Sequence, residues 1–93
     1  MGLFGPKRVI CPPGVWTTVV SDVFVQMPKM YVIDFEGEEP IEGQLEEKKS
    51  SWVIPGTPQL RSLGRRIVLE RGIWNTFYRI RVLSPRGVVA IVG

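Results

Sequence analysis

The chain has 93 residues, 44% apolar and 23% charged, with a net charge of +3, one cysteine and no histidine. That is the composition of one globular domain, too apolar for a disordered chain, with a thin margin because a domain this short withdraws only roughly 60 to 65% of its unfolded surface from water. The lone Cys11 excludes an internal disulfide framework and a cysteine metal cluster, and the lack of histidine excludes an imidazole base.

The amino end, MGLFGPKRVICPPG, is interrupted by Pro6, Pro12 and Pro13 and has its basic pair at Lys7 and Arg8, which breaks any signal-peptide core. Residues 1–13 read as an extended arm with Phe4 as its one large anchor, ahead of a single domain over residues 14–93. No apolar run approaches the roughly 18 residues of a bilayer span, so a soluble chain without a membrane partner is expected. Next, VWTTVV and VFVQM are rich in β-branched and aromatic residues and are separated by Ser21-Asp22, a turn-forming pair. They predict two strands, and MYVIDF predicts a third, together a meander.

From Asp34 to Lys49 there are seven carboxylates, two glycines and one proline in sixteen residues. This predicts a solvated excursion with a short strand near Ile41 and at most one helical turn near Leu45. SWVI predicts a strand that PGTPQ stops, and RRIVLE and TFYRIRVL predict two more, joined through Arg71-Gly72. Ser84-Pro85-Arg86-Gly87 suits a type I turn closing a last hairpin into VVAIV. Both faces of that terminal strand ask for cover, as a central strand has, although at a sheet edge it would invite strand addition. Seven or eight short strands without a segment of helical period predict an all-β fold, an antiparallel β-sandwich or a small β-barrel.

Charge is unevenly distributed. Residues 1–47 hold three basic and eight acidic side chains, a balance of −5, and residues 48–93 hold nine basic and one acidic, a balance of +8. If folding keeps the halves apart, an acidic and a basic flank suit association with copies or with another charged protein; if folding interleaves them, the polarity cancels. Along Thr76 to Leu83 the period of two puts Phe77, Arg79 and Arg81 on one face and Tyr78, Ile80 and Val82 on the other. The first face suits solvent, a protein partner, or a single strand of nucleic acid tracked by arginine and stacked on phenylalanine. Trp16, Trp52 and Trp74 are expected to anchor the core or its margin, with a place on an interface as the alternative for each.

Chemical machinery is hard to assemble. RGIWNTFY matches the RNA-recognition signature only at Arg71, Gly72 and Tyr78, and the helices of that fold have no candidates. Asp34, Glu36, Glu38, Glu39 and Glu42 lack the ladder and central glycine of a calcium loop. Cys11 sits between Ile10 and Pro12 with no activator, and no glycine run leads into a phosphate-binding helix. No catalytic residue, metal or cofactor is predicted, and the chain is not expected to be an enzyme.

The short arm, PPGVWTT opening a strand, RSLGRRIVLERG in the second half and the terminal GVVAIVG resemble small all-β virion proteins of tailed bacteriophages, head decoration proteins and minor structural components among them. The likeness spans residues 12–93, with the long acidic insert as a departure. It implies a non-enzymatic structural subunit of the virion, bound to the major capsid protein or to neighbouring virion proteins and oligomeric in its own right. The expected contact residues are Phe4 in the arm, Arg65, Arg66, Arg79 and Arg81 on the basic side, and Glu38, Glu39, Glu46 and Glu47 on the acidic side. Reversing Arg79 and Arg81 to glutamate is expected to weaken assembly and leave the monomer folded. Two other readings stand beside this one: a nucleic-acid-binding barrel using Trp74, Phe77, Arg79 and Arg81, and an adaptor that captures extended peptides by edge pairing.

Overall fold

The computed structural model describes residues 6–23, 28–72 and 76–93, so Phe4, Trp74 and most of the VFVQM segment lie outside the described residues. Among these residues there are eight strands: β1 (Lys7–Cys11), β2 (Thr17–Val23), β3 (Lys29–Glu36), β4 (Gln44–Ser50), β5 (Gln59–Ser62), β6 (Arg66–Arg71), β7 (Phe77–Leu83) and β8 (Val88–Val92), with burial alternating most regularly along β3, β6 and β7. They form two four-stranded antiparallel sheets, ordered β1-β8-β3-β6 and β2-β7-β4-β5. The fold is a β-sandwich, and only β4 and β5 are successive strands of one sheet. Between the sheets lie Tyr31, Ile33 and Phe35 of β3, Ile67 and Leu69 of β6, Leu45 of β4, and Tyr78, Ile80 and Val82 of β7. Each such side chain taken fully out of water stabilises the fold by about 1.5 to 3 kcal/mol before entropy is counted.

Several expectations are corrected. Within the expected arm, residues 7–11 are a strand paired along its length with β8, and Cys11 joins the core. The pairing makes β8 an inner strand, with β1 on one edge and β3 on the other, and its Val88, Ala90 and Val92 face the core. Ser21-Asp22 makes no turn. The strand β2 runs through it to Val23, because a bulge between Thr18 and Val20 buries both Val19 and Val20 and Asp22 finds partners across the sandwich. There is no meander, since β2 and β3 belong to different sheets.

The acidic excursion closes into β4, an inner strand between β7 and β5, with Leu45 and Glu47 facing inward. SWVI is a loop, and within it Trp52 is exposed, whereas Trp16 is half-buried. The 84–87 turn forms, Gly87 donating its N–H to the Ser84 carbonyl at 3.2 Å. It closes no hairpin, because β7 and β8 enter opposite sheets; a type I turn lacks the twist that holds a tight two-stranded pair together.

Candidate functional site

On the outer face of the β2-β7-β4-β5 sheet, register sets Arg81 between Thr18 and Glu46, Arg79 between Ser21 and Lys48, and Phe77 between Val23 and Ser50. Phe77, Arg79 and Arg81 do share one face, as alternation predicts. Glu46 decides what that face can do. Its Oε1 accepts from Arg79 Nη2 at 3.1 Å and Arg81 Nε at 2.8 Å, and its Oε2 accepts from Arg81 Nη2 at 2.9 Å. These bonds, Arg81's foremost, hold the Glu46 carboxyl below the usual glutamate range. The Arg81 guanidinium also lies 5.3 Å from the Trp16 ring.

One carboxylate therefore holds both arginines, Arg81 by two bonds and Arg79 by one, and the three side chains together keep a charge of +1. Lys48, by contrast, makes no ion pair among the described residues; with Ser21, Ser50, Phe77 and Arg79 it lines a shallow depression of about 280 Å³.

Directly beneath is a polar seam between the sheets. The Tyr78 hydroxyl donates to Glu47 Oε2 at 2.6 Å, and burial, then the adjacent carboxylate, raises its pKa well above the usual tyrosine value. Its ring stacks on Tyr31 at 5.3 Å, and the Tyr31 hydroxyl donates to Asp22. Arg71 Nη1 donates to Asp22 Oδ2 at 2.6 Å and to the Tyr31 hydroxyl at 2.9 Å. Because β3 and β6 supply Tyr31 and Arg71 while β2, β4 and β7 supply the rest, the seam fastens one sheet to the other. Glu47 thus belongs to the interior, and neither it nor the arginine-covered Glu46 forms an exposed acidic side.

The remaining expected contact residues sit at other places. Arg66 grips Asp34 through Nε at 2.7 Å, which lowers the Asp34 pKa, and Arg65 lies 3.4 Å from Glu39. Arg8 bonds Glu36 at 2.9 Å, and Arg86 stands 3.9 Å from Glu42. Folding interleaves the acidic half with the basic half, pair by pair. Glu38 is exposed and makes no ion pair among the described residues.

Sequence reasoning allowed Trp52 an interface only as an alternative and read SWVI as strand, and so missed the most conspicuous surface feature. Trp52, Val53 and Ile54 are 68%, 86% and 70% exposed, three apolar side chains in a row at the tip of the β4–β5 loop. The tip is built rather than loose: Ser51 N donates to the Ile54 carbonyl at 3.0 Å, Ile54 N to Ser51 Oγ at 3.0 Å, and Gly56 N to Ser50 Oγ at 3.0 Å. Trp52 meets Phe77 edge-on at 5.3 Å, which joins the tip to the outer face. A Cβ on Gly56 would fall 1.6 Å from the Lys49 carbonyl oxygen, so glycine alone closes the loop. The signal was present in Ser50-Ser51 before the apolar triplet and Pro55-Gly56 after it.

No family model matches the chain, and neither the curated proteins nor the solved structures yield a match.

Proposed function

We propose that this chain is a non-enzymatic assembly subunit that docks on other protein through the Trp52-Val53-Ile54 tip. In keeping with its resemblance to small all-β virion proteins, we place it in a viral particle, on the capsid or beside neighbouring virion components. The observation that carries the reading is the tip itself, where hydrogen bonds hold three successive apolar side chains out in water. Burying each in a partner is worth about 1.5 to 3 kcal/mol, the scale of an interface hot spot. The ordering cost of docking is reduced because the turn is already formed.

Sedimentation with assembled phage capsid shells, together with sedimentation velocity of the chain alone, tests the reading. The wild type is expected to associate with shells, with itself or with both, and the Val53→Asp/Ile54→Asp variant to stay folded by circular dichroism and lose that association. A variant that associates as well as the wild type overturns the reading, as does a wild type that associates with nothing.

One observation favours a second reading, single-stranded nucleic acid on the outer face. The Lys48–Arg79–Phe77 depression lies beside Trp52 and offers a cation next to a stacking ring. The hold of Glu46 on Arg79 and Arg81 weighs against it. Filter-binding affinity that falls steeply with salt would favour nucleic acid over protein.

A further inference from the structure

We infer that the occupant of the tip is a second copy of this chain, seated head to tail, the Trp52-Val53-Ile54 tip of one copy entering a cleft at the opposite end of the next. The inference rests on the reading of the tip as a docking surface and names its partner.

The strand β4 connects the two features. It starts beside the 37–43 segment and ends at the tip, and its seven residues separate them by roughly 23 Å at the rise of an extended chain. At the starting end, a cleft of about 320 Å³ has Pro40, Ile41 and Val88 among its apolar lining and Glu36, Glu38 and Glu42 among its acidic lining. Gly43 fixes this wall against the end of β7: its φ is +141°, and a Cβ there would lie 2.3 Å from the Leu83 carbonyl oxygen.

Charges with weak or no ion pairs stand at both of these ends, and Arg86 lines the cleft beside its carboxylates. Beside the cleft, Glu38 has no ion pair among the described residues and Glu42 has only the 3.9 Å approach of an exposed Arg86. Beside the tip, Lys48 has none and Lys49 has only a 3.8 Å approach to buried Glu47. End-to-end stacking sets Lys48 and Lys49 of one copy against Glu38 and Glu42 of the next and lays Val53 and Ile54 on Ile41, Pro40 and Val88. Tip-to-tip contact would instead oppose the lysines to one another. An interface between two different surfaces of one chain repeats, giving a ring or a filament.

Two half-disabled variants test this. Val53→Asp/Ile54→Asp removes the tip, and Glu38→Lys/Glu42→Lys removes the acidic rim; Glu38→Gln/Glu42→Gln is the milder form if the reversal disturbs folding, checked by the urea midpoint. In sedimentation velocity each variant alone is expected to associate at least tenfold more weakly than the wild type. An equimolar mixture is expected to give a one-to-one dimer that grows no further, because the intact tip of one variant meets the intact cleft of the other.

A mixture that stays monomeric while the wild type associates overturns the head-to-tail pairing, as does a rim variant that associates like the wild type. A wild type that is monomeric alone yet binds capsid shells through the tip also overturns it and leaves the assembly reading standing. Tip-dependent flotation with anionic lipid vesicles in place of self-association would assign the tip to a lipid surface and overturn both.

Discussion

The arginine face and the apolar tip are joined by the Trp52–Phe77 contact, yet they spend their side chains in opposite ways. On the face, Arg79 and Arg81 look like a binding platform in the sequence, but both end on Glu46 of the neighbouring strand. At the tip, Trp-Val-Ile looks like buried strand but is held in solvent by a serine-capped turn and a glycine that tolerates no side chain. A row of charges is a weaker indication of a ligand site where the fold already supplies part of the counter-charge. Apolar groups kept outward by dedicated hydrogen bonds are the stronger indication of a partner.

The largest effect that separates the two regions is expected from Arg79→Glu/Arg81→Glu. It sets three carboxylates together on partly covered surface, and we expect about 3 kcal/mol or more of lost stability in urea denaturation. This revises the expectation that the reversal leaves the monomer folded and affects only assembly. Unchanged stability would mean that Glu46 does not close the pair and that the face is open to a partner.

Glu46→Gln should cost less, about 2 kcal/mol, because the amide oxygen still accepts one bond. It also sharpens the comparison through pH. The Glu46 and Asp34 carboxyls are held below their usual values by Arg81 and Arg66. The stability they contribute is therefore complete above the ordinary carboxylate range, about 3.9 to 4.3, and is lost as pH falls through their lower folded values. The wild-type melting temperature should drop on acidification below about pH 4, and Glu46→Gln should show a smaller drop. Identical pH profiles would remove Glu46 from the account.

The smallest effect is expected at the tip. Val53→Ser/Ile54→Ser should change stability by no more than about 0.5 kcal/mol, since neither side chain is buried in the monomer. A larger loss in a calorimetric melt would show that the tip supports the fold itself.

The strands β3, β6 and β7 and the turn at 84–87 were legible because alternation and turn chemistry are local. The inner strand β4 was not. QLEEKKS looks solvated until its carboxylates meet partners 31 to 35 residues away, Tyr78 for Glu47 and Arg79 and Arg81 for Glu46. Ser21-Asp22 failed as a turn for the same reason, since Asp22 is claimed by Arg71, 49 residues on. Residues 7–11 passed for an extended arm because the partner they pair with, the edge of β8, lies at the far end of the chain. At the outer face, alternation found Phe77, Arg79 and Arg81, but nothing local announced Trp16 over Arg81. The tip was misread because β-branched and aromatic composition reports strand propensity and says nothing of whether a loop-closing glycine holds those residues outside the sheet.

Fluorescence of Trp52 tests the central claim most directly, read as the difference between wild type and Trp52→Phe while the chain is concentrated or mixed with its partner. If the tip is the docking surface, the Trp52 emission moves to shorter wavelength as assembly proceeds and returns on dilution. Assembly that proceeds while Trp52 keeps the emission of a water-exposed indole would contradict the account.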